Sequence, residues 1–272
     1  MLAGGAAAGV FGSLLGLGGG ILIVPLLTLA FGLDLREAVG VSLVSVIMTS
    51  SAAAGVYLER HVADLRLGMR LELFTAIGAL LGGSIAFLLD ERLLAFLFAA
   101  LLLYVAFTMA RSARAVAKEP AEPASTDDET ATETRHQAAS TPVNADVPPY
   151  EVRNLRLGQV GATGAGIASA LLGVGGGIVK VPLMHLTMGV PLRVATATSN
   201  LMVGITAAAS SVIYLLHGEI DPYVAGPTAI GVFLGASLGS RMAHRIDLRI
   251  LRWLFVAVLL YTAVQMLLRV VS

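Results

Sequence analysis

The sequence predicts an all-α integral membrane protein in which two homologous halves form an inverted repeat. Each half is expected to hold a Gly/Pro-broken first helix, re-entrant or kinked, followed by three transmembrane helices. Three observations predict this. Of 272 residues, 56% are hydrophobic and 13% charged, with a mean hydropathy of +0.83. Soluble domains carry charge on about a quarter of their residues, so this chain has too little to cover a water-facing surface. The chain also repeats itself without a gap, Gly18 matching Gly175 and Ser42 matching Ser199. Finally, three continuous apolar segments recur in each half, each close to the ~20 residues that cross ~30 Å of hydrocarbon.

The composition excludes an ordinary soluble enzyme, a nucleic-acid binder and a disordered scaffold. Lys+Arg and Asp+Glu both number 18, so no bulk field attracts nucleic acid. With no cysteine there are no disulfides, thiolate metal sites or cysteine nucleophiles. Met1–Gly9 has no basic stretch, and no cleavable leader is expected.

The first segment of each half is broken. GSLLGLGGGILIVPLL at Gly12–Leu27 aligns with SALLGVGGGIVKVPLM at Ser169–Met184. Three glycines followed by a proline are poor helix material. Met1–Leu15 would be only roughly 22 Å long as a helix, too short to span alone. A single kinked span and a hairpin of two half-helices both fit. The continuous segments follow at Ala38–Leu58, Leu67–Leu89 and Leu93–Ala110, then at Ala195–Leu216, Tyr223–Ala243 and Ile250–Leu268. Gly78/Gly82 and Gly235/Gly239 place small residues on one helix face, a packing signal.

Between the halves, Lys118–Tyr150 is rich in Pro, Ser, Thr, Asp and Glu and has few large apolar side chains. Such a stretch cannot bury enough surface to offset its chain entropy. The expected division is repeat 1 over 1–112, a disordered cytoplasmic linker over 113–152 and repeat 2 over 153–272. Duplication explains why Gly, Pro, Arg, Asp and Tyr stay in step between the halves, as in Arg36/Arg193, Tyr57/Tyr214 and Asp90/Asp247. Charge then favours hairpins. With three crossings per half the second half is inverted, and fourteen of the 18 basic residues fall on one face. That face is expected to be cytoplasmic, with both termini outside the cytoplasmic (inner) membrane.

The glycine breaks are the first candidates for function. Gly18, Gly19, Gly20 with Pro25, and Gly175, Gly176, Gly177 with Pro182, let backbone N–H groups turn toward an anion. In transporters built from inverted repeats such broken helices meet near the midplane and form the substrate site. Tight packing alone is the competing reading. Lys180 is the basic residue inside an apolar stretch, a costly placement. It holds an anion or exchanges a proton, or else it snorkels to the headgroups. Ser42, Thr198, Ser199 and Asn200 supply neutral donors, with helix–helix hydrogen bonding as the bland alternative. No embedded carboxylate is expected to serve as a proton relay. The five histidines show no metal-ligand spacing, and no HExxH or Gly-x-Ser-x-Gly motif occurs. No catalytic residue, metal or cofactor is therefore expected, and the protein is not expected to be an enzyme.

GLGGGILIVPLL with REAVGVS, and GVGGGIVKVPLM with RVATATSN, resemble the TauE/SafE family of sulfite exporters. The resemblance covers nearly the whole chain. It implies transport of small sulfur-containing or organic anions, of the sulfite, thiosulfate and sulfonate class, typically outward. It carries the family's Gly-Pro motif onto Gly18–Gly20 with Pro25 and onto Gly175–Gly177 with Pro182, and its Thr-Ser pair onto Thr198-Ser199. Val41 stands where the first half would need that threonine, so unequal half-sites are expected. The expected partners are a small anion, the lipid bilayer and, at most, further copies as a homo-oligomer, with no nucleic acid. The rival readings are a transporter of another small solute and a non-transporting membrane scaffold subunit.

Overall fold

The computed structural model describes residues 1–15, 20–59, 63–116, 150, 152–242 and 248–271. The described elements are all helices. They are α1 (Leu2–Leu15), α2 (Gly20–Pro25), α3 (Leu35–Glu59), α4 (Leu65–Leu88), α5 (Glu91–Val116), α6 (Leu155–Leu172), α7 (Gly177–Pro182), α8 (Leu192–Leu216), α9 (Pro222–Met242) and α10 (Leu248–Val271). α2 and α7 each end on a proline and continue as one wide π turn, Leu26–Ala30 and Leu183–Thr187. Proline has no N–H to donate and its ring crowds the preceding turn, so the ladder widens there. α5 runs past the expected boundary at 112, and most of the expected linker, 117–149, lies outside the described residues.

The broken segments are hairpins. Gly4 of α1 faces Leu26 beyond α2, and Gly161 of α6 faces Leu183 beyond α7. Each short arm therefore lies back along its partner, and the kinked-span alternative is set aside. Gly173 ends α6 in the left-handed conformation, φ 66°, which a glycine adopts without steric cost.

The two halves exchange their hairpins. α1 packs on α9, and α6 packs on α4. Both contacts run parallel, Gly5 and Gly9 facing Thr228 and Val232, and Gly78 and Gly82 facing Thr163 and Ile167. A Cβ on Gly78 would lie 2.1 Å from the Thr163 carbonyl oxygen, and one on Gly235 would lie 2.0 Å from that of Ala6. Only glycine permits this approach, as the small-residue spacing predicts. α3 and α8 run antiparallel at the centre. Gly40 packs on the Glu219 carbonyl beyond the end of α8, while the Ser50 hydroxyl donates to Asn200 near its start. α5 and α10 pair with each other.

One buried cluster joins Ile23, Val24 and Leu27 to α3, α5 and α10, and a second joins α4, α6 and α8 around Met184 and Met188. Outside them, large apolar side chains such as Leu73, Leu88, Phe107, Ile205 and Leu215 stand mostly exposed. That much bare hydrocarbon suits lipid and not water. Among the described residues three helices are long and apolar enough to cross a membrane, over Leu65–Leu88, Glu91–Arg111 and Val194–Leu216. Six such segments are expected from the sequence. α3, α9 and α10 fall on the other three, with some of their side chains outside the described residues.

Candidate functional site

The two glycine breaks meet where the halves cross. The Ser42 hydroxyl of α3 lies 2.7 Å from the Gly173 carbonyl oxygen and 3.2 Å from that of Gly20. One side chain thus ties the break of its own half to the break of the other. A Cβ on Gly20 would sit 2.7 Å from the Gly173 oxygen, and one on Gly175 would sit 2.5 Å from Val203 and 2.8 Å from Val46. Gly175 and Gly176 adopt φ 78° and 74°, backbone that favours glycine. Gly176 then accepts from the Lys180 N–H at 3.0 Å, which starts α7.

Around the second break two hydroxyls are buried without a hydrogen-bond partner among the described residues, Ser169 of α6 and Ser199 of α8. Ser169 borders Gly176, and Ser199 borders Gly177. A buried hydroxyl normally finds a partner, so two idle ones at one loop are polar capacity held open. Ser199 and Ser42 occupy equivalent positions, yet Ser42 is bonded to backbone and Ser199 is not.

The other predicted residues fall into place unevenly. Gly18 and Gly19 lie outside the described residues. Pro25 is buried against α1, whereas Pro182 is exposed, so these prolines shape the π turns and the second does not touch the break. The Thr198 hydroxyl accepts from the Asp64 N–H at 2.9 Å. The Asp64 carboxylate caps the Leu67 N–H at 2.9 Å and accepts from the Tyr150 hydroxyl at 2.7 Å. Thr198 therefore fastens the start of α4. Burial, and then the neighbouring Asp64 carboxylate, push the Tyr150 hydroxyl's pKa above its ordinary value. Asn200 is half-buried and its carbonyl receives Ser50. Among the described residues no three His, Asp or Glu side chains converge as a metal site would require.

Lys180 does not snorkel. It is 1% exposed, and its ammonium donates to Glu72 Oε2 at 3.1 Å and to Thr206 Oγ1 at 2.5 Å. Thr206 Oγ1 lies 2.7 Å from Glu72 Oε1 and 3.1 Å from the Met202 carbonyl. The charged acceptor at the shorter distance takes its proton, because charge-assisted bonds are the stronger. α7, α4 and α8 thus close a ring of three buried polar groups. This corrects the expectation that the apolar segments hold no usable carboxylate. Glu72 lies within α4, buried at 5% exposure. It is the one acid between Leu67 and Leu89, a signal present in the sequence. Its nearness to the exposed Arg66 and Arg70 disguises it as part of a polar helix end. Ser169 was legible only as the first residue of the repeated motif.

Comparison with known proteins then decides the family. A family model described as "Sulfite exporter TauE/SafE" matches residues 1–266. The chain belongs to that family. It is 25% identical over 269 residues to "Probable membrane transporter protein YunE" of Bacillus subtilis, covering 96% of this chain and 93% of that one. It is 28% identical over 233 residues to a "Probable membrane transporter protein" of Xylella fastidiosa, covering 85% and 79%. A shorter match, 34% over 82 residues, covers 30% of the chain and 19% of "Sulfite exporter TauE/SafE family protein 6" of Arabidopsis thaliana. No solved structure matches. The family and its relatives make this a membrane transporter, and none of the names given to them is that of an enzyme.

Proposed function

We propose that the protein is a secondary transporter of small sulfur-containing or organic anions, with sulfite, thiosulfate and small sulfonates as the substrate class. The anion site lies at the second glycine break, between Gly175–Gly177 and the hydroxyls of Ser169 and Ser199, with Asn200 at its edge and Lys180 behind it. The observation that carries this reading is the pair of buried, unpartnered hydroxyls flanking a glycine turn beside a buried ammonium. Neutral donors hold an oxyanion yet let it leave, which a transporter needs. Gly20 with Pro25, Ser42 and Gly173 form the facing wall, and Pro182 and Thr198 set the geometry behind it.

The halves act as an inverted repeat in the inner membrane. Support comes from the antiparallel run of the equivalent helices α3 and α8 and from the parallel exchange of α1 onto α9 and α6 onto α4. An even number of crossings per half would make α3 and α8 parallel. Fourteen of 18 basic residues then face the cytoplasm, with both termini outside. Movement of one half against the other exposes the site alternately. Outward movement of an anion gains ~2.3 kcal/mol per charge per 100 mV of inside-negative potential. Purified protein in liposomes, offered sulfite, thiosulfate, sulfate and a small sulfonate, is expected to give saturable flux of at least one. Absence of flux and binding across the panel overturns the proposal.

A further inference from the structure

We infer that Glu72 is the proton-binding residue of the transport cycle, and that the substrate anion and a proton are taken up together. This rests on the proposed transporter reading. In the structure Lys180 and Glu72 cancel each other at 3.1 Å, so the pocket beside Ser169 carries no net charge. An anion entering such a buried place loses its hydration and finds no uncompensated positive charge. Protonation of the Glu72 carboxylate changes that. The proton comes from the aqueous phase open to the site and binds one carboxylate oxygen. Glu72 becomes neutral, and the Lys180 ammonium is released to balance the anion. When the anion leaves, the proton leaves too and the ion pair closes again. In each turn Glu72 gains one proton and loses it, and no other bond changes.

Among the described residues the surroundings leave Glu72 with one electrostatic partner. α7 contributes Lys180, and α8 contributes no titratable group between Ala197 and Ser211. α6 carries Arg156, and α4 itself carries Arg66 and Arg70, all exposed. His185, beyond α7, is exposed and faces the Val190 carbonyl. Lys180 lies next to the proposed anion pocket, since a Cβ on Gly176 would sit 3.2 Å from the Ser169 Cβ and 3.6 Å from Lys180 Cε. The fold does not need the pair. At the equivalent contact around the first break stand Ile23 and Ala229, both buried. Replacing a buried ion pair by apolar groups is often neutral or stabilising, so a pair kept at one break and absent from the other points to use.

The test measures anion and proton movement in the same liposomes, with a pH dye inside, the voltage clamped, and rates in protein-free liposomes subtracted. The panel is sulfite, thiosulfate, sulfate and 2-hydroxyethanesulfonate. Thiosulfate, sulfate and the sulfonate have no neutral form to carry protons through lipid. Wild-type protein is expected to move one proton with each anion carried, in the same direction. Glu72→Gln is expected to move anion with no accompanying proton. The double variant Lys180→Ile/Glu72→Ala, which copies the contact around the first break, is expected to fold and to lose at least tenfold in anion flux. Wild-type flux without proton movement overturns the inference and leaves the transporter standing. Undiminished proton coupling in Glu72→Gln overturns it as well. No flux of any anion overturns the transporter reading and this inference with it. If Glu72→Gln does not fold, Glu72→Asp decides, since a retained carboxylate must retain the coupling.

Discussion

The two glycine breaks share a sequence pattern, yet one sits beside a charge cluster where the other sits beside hydrocarbon. In the second break Lys180, Glu72 and Thr206 bond to one another. At the equivalent positions of the first stand Ile23, Ala229 and Thr49. Ser199 waits without a partner where Ser42 is bonded. The lesson is that duplication has set the scaffold twice and the chemistry once. The glycine crossings, which hold the scaffold, are equal on both sides, and the polar groups are not.

The largest expected effect tests that asymmetry. Lys180→Ile or Glu72→Ala alone leaves one charge buried and unpaired, and stability in detergent is expected to fall by about 3–5 kcal/mol. Together, as Lys180→Ile/Glu72→Ala, they are expected to cost less than about 1.5 kcal/mol, the two single effects cancelling. Thermal unfolding of the four proteins measures this, and additive losses would show that the pair is only two independent packing contacts.

The glycine crossings come next and are expected to respond alike. Gly78→Val and Gly235→Val each drive a side chain into opposing backbone, at 2.1 Å and 2.0 Å. Each is expected to lose about 3 kcal/mol or fail to fold. Gly164→Ala, with nothing within 4 Å, is expected to be neutral or slightly stabilising. A large difference between the two valine variants would end the structural equivalence of the halves.

The serines separate function from structure on a smaller scale. Ser42→Ala is expected to cost about 1 kcal/mol, because a buried carbonyl loses its donor. Ser199→Ala removes no protein hydrogen bond among the described residues and is expected to leave stability unchanged while weakening anion binding. Equal losses of stability would show that Ser199 is bonded as Ser42 is.

The smallest effect is at Tyr150, which holds the start of α4 through Asp64. Its phenol is held neutral by burial and by Asp64, so its folded pKa lies above the unfolded value of 10.0. The sign follows directly. The stabilisation is complete below the unfolded value and is lost as pH rises toward the folded one. Tyr150→Phe is expected to cost about 1 kcal/mol at neutral pH and to remove this alkaline loss, read by unfolding between neutral and alkaline pH.

Much of the architecture was legible. The helix breaks follow from the glycine–proline motifs that end in Pro25 and Pro182, because glycine and proline act locally whatever surrounds them, while the same motifs left hairpin and kinked span open. The crossings at Gly78 and Gly235 were legible for a related reason, since a small residue in a long apolar helix marks close approach. The site was legible in part. Ser42, Ser199, Gly175–Gly177 and Lys180 lie near one another, while Thr198 turns to the start of α4 and Pro182 faces outward. Glu72 was missed because its partner stands 108 residues away in the chain.

Membrane character, the duplication and the places where helices break are properties of composition, of self-similarity and of single residues, and the chain spells them out. Which short helix folds back, which half lends its hairpin to the other, and which charge is neutralised are different in kind. Each depends on groups distant in sequence meeting inside a low-dielectric interior. There an unpaired lysine and a paired one differ greatly in free energy although the letters around them are the same. Only the folded arrangement of α4, α7 and α8 makes that choice.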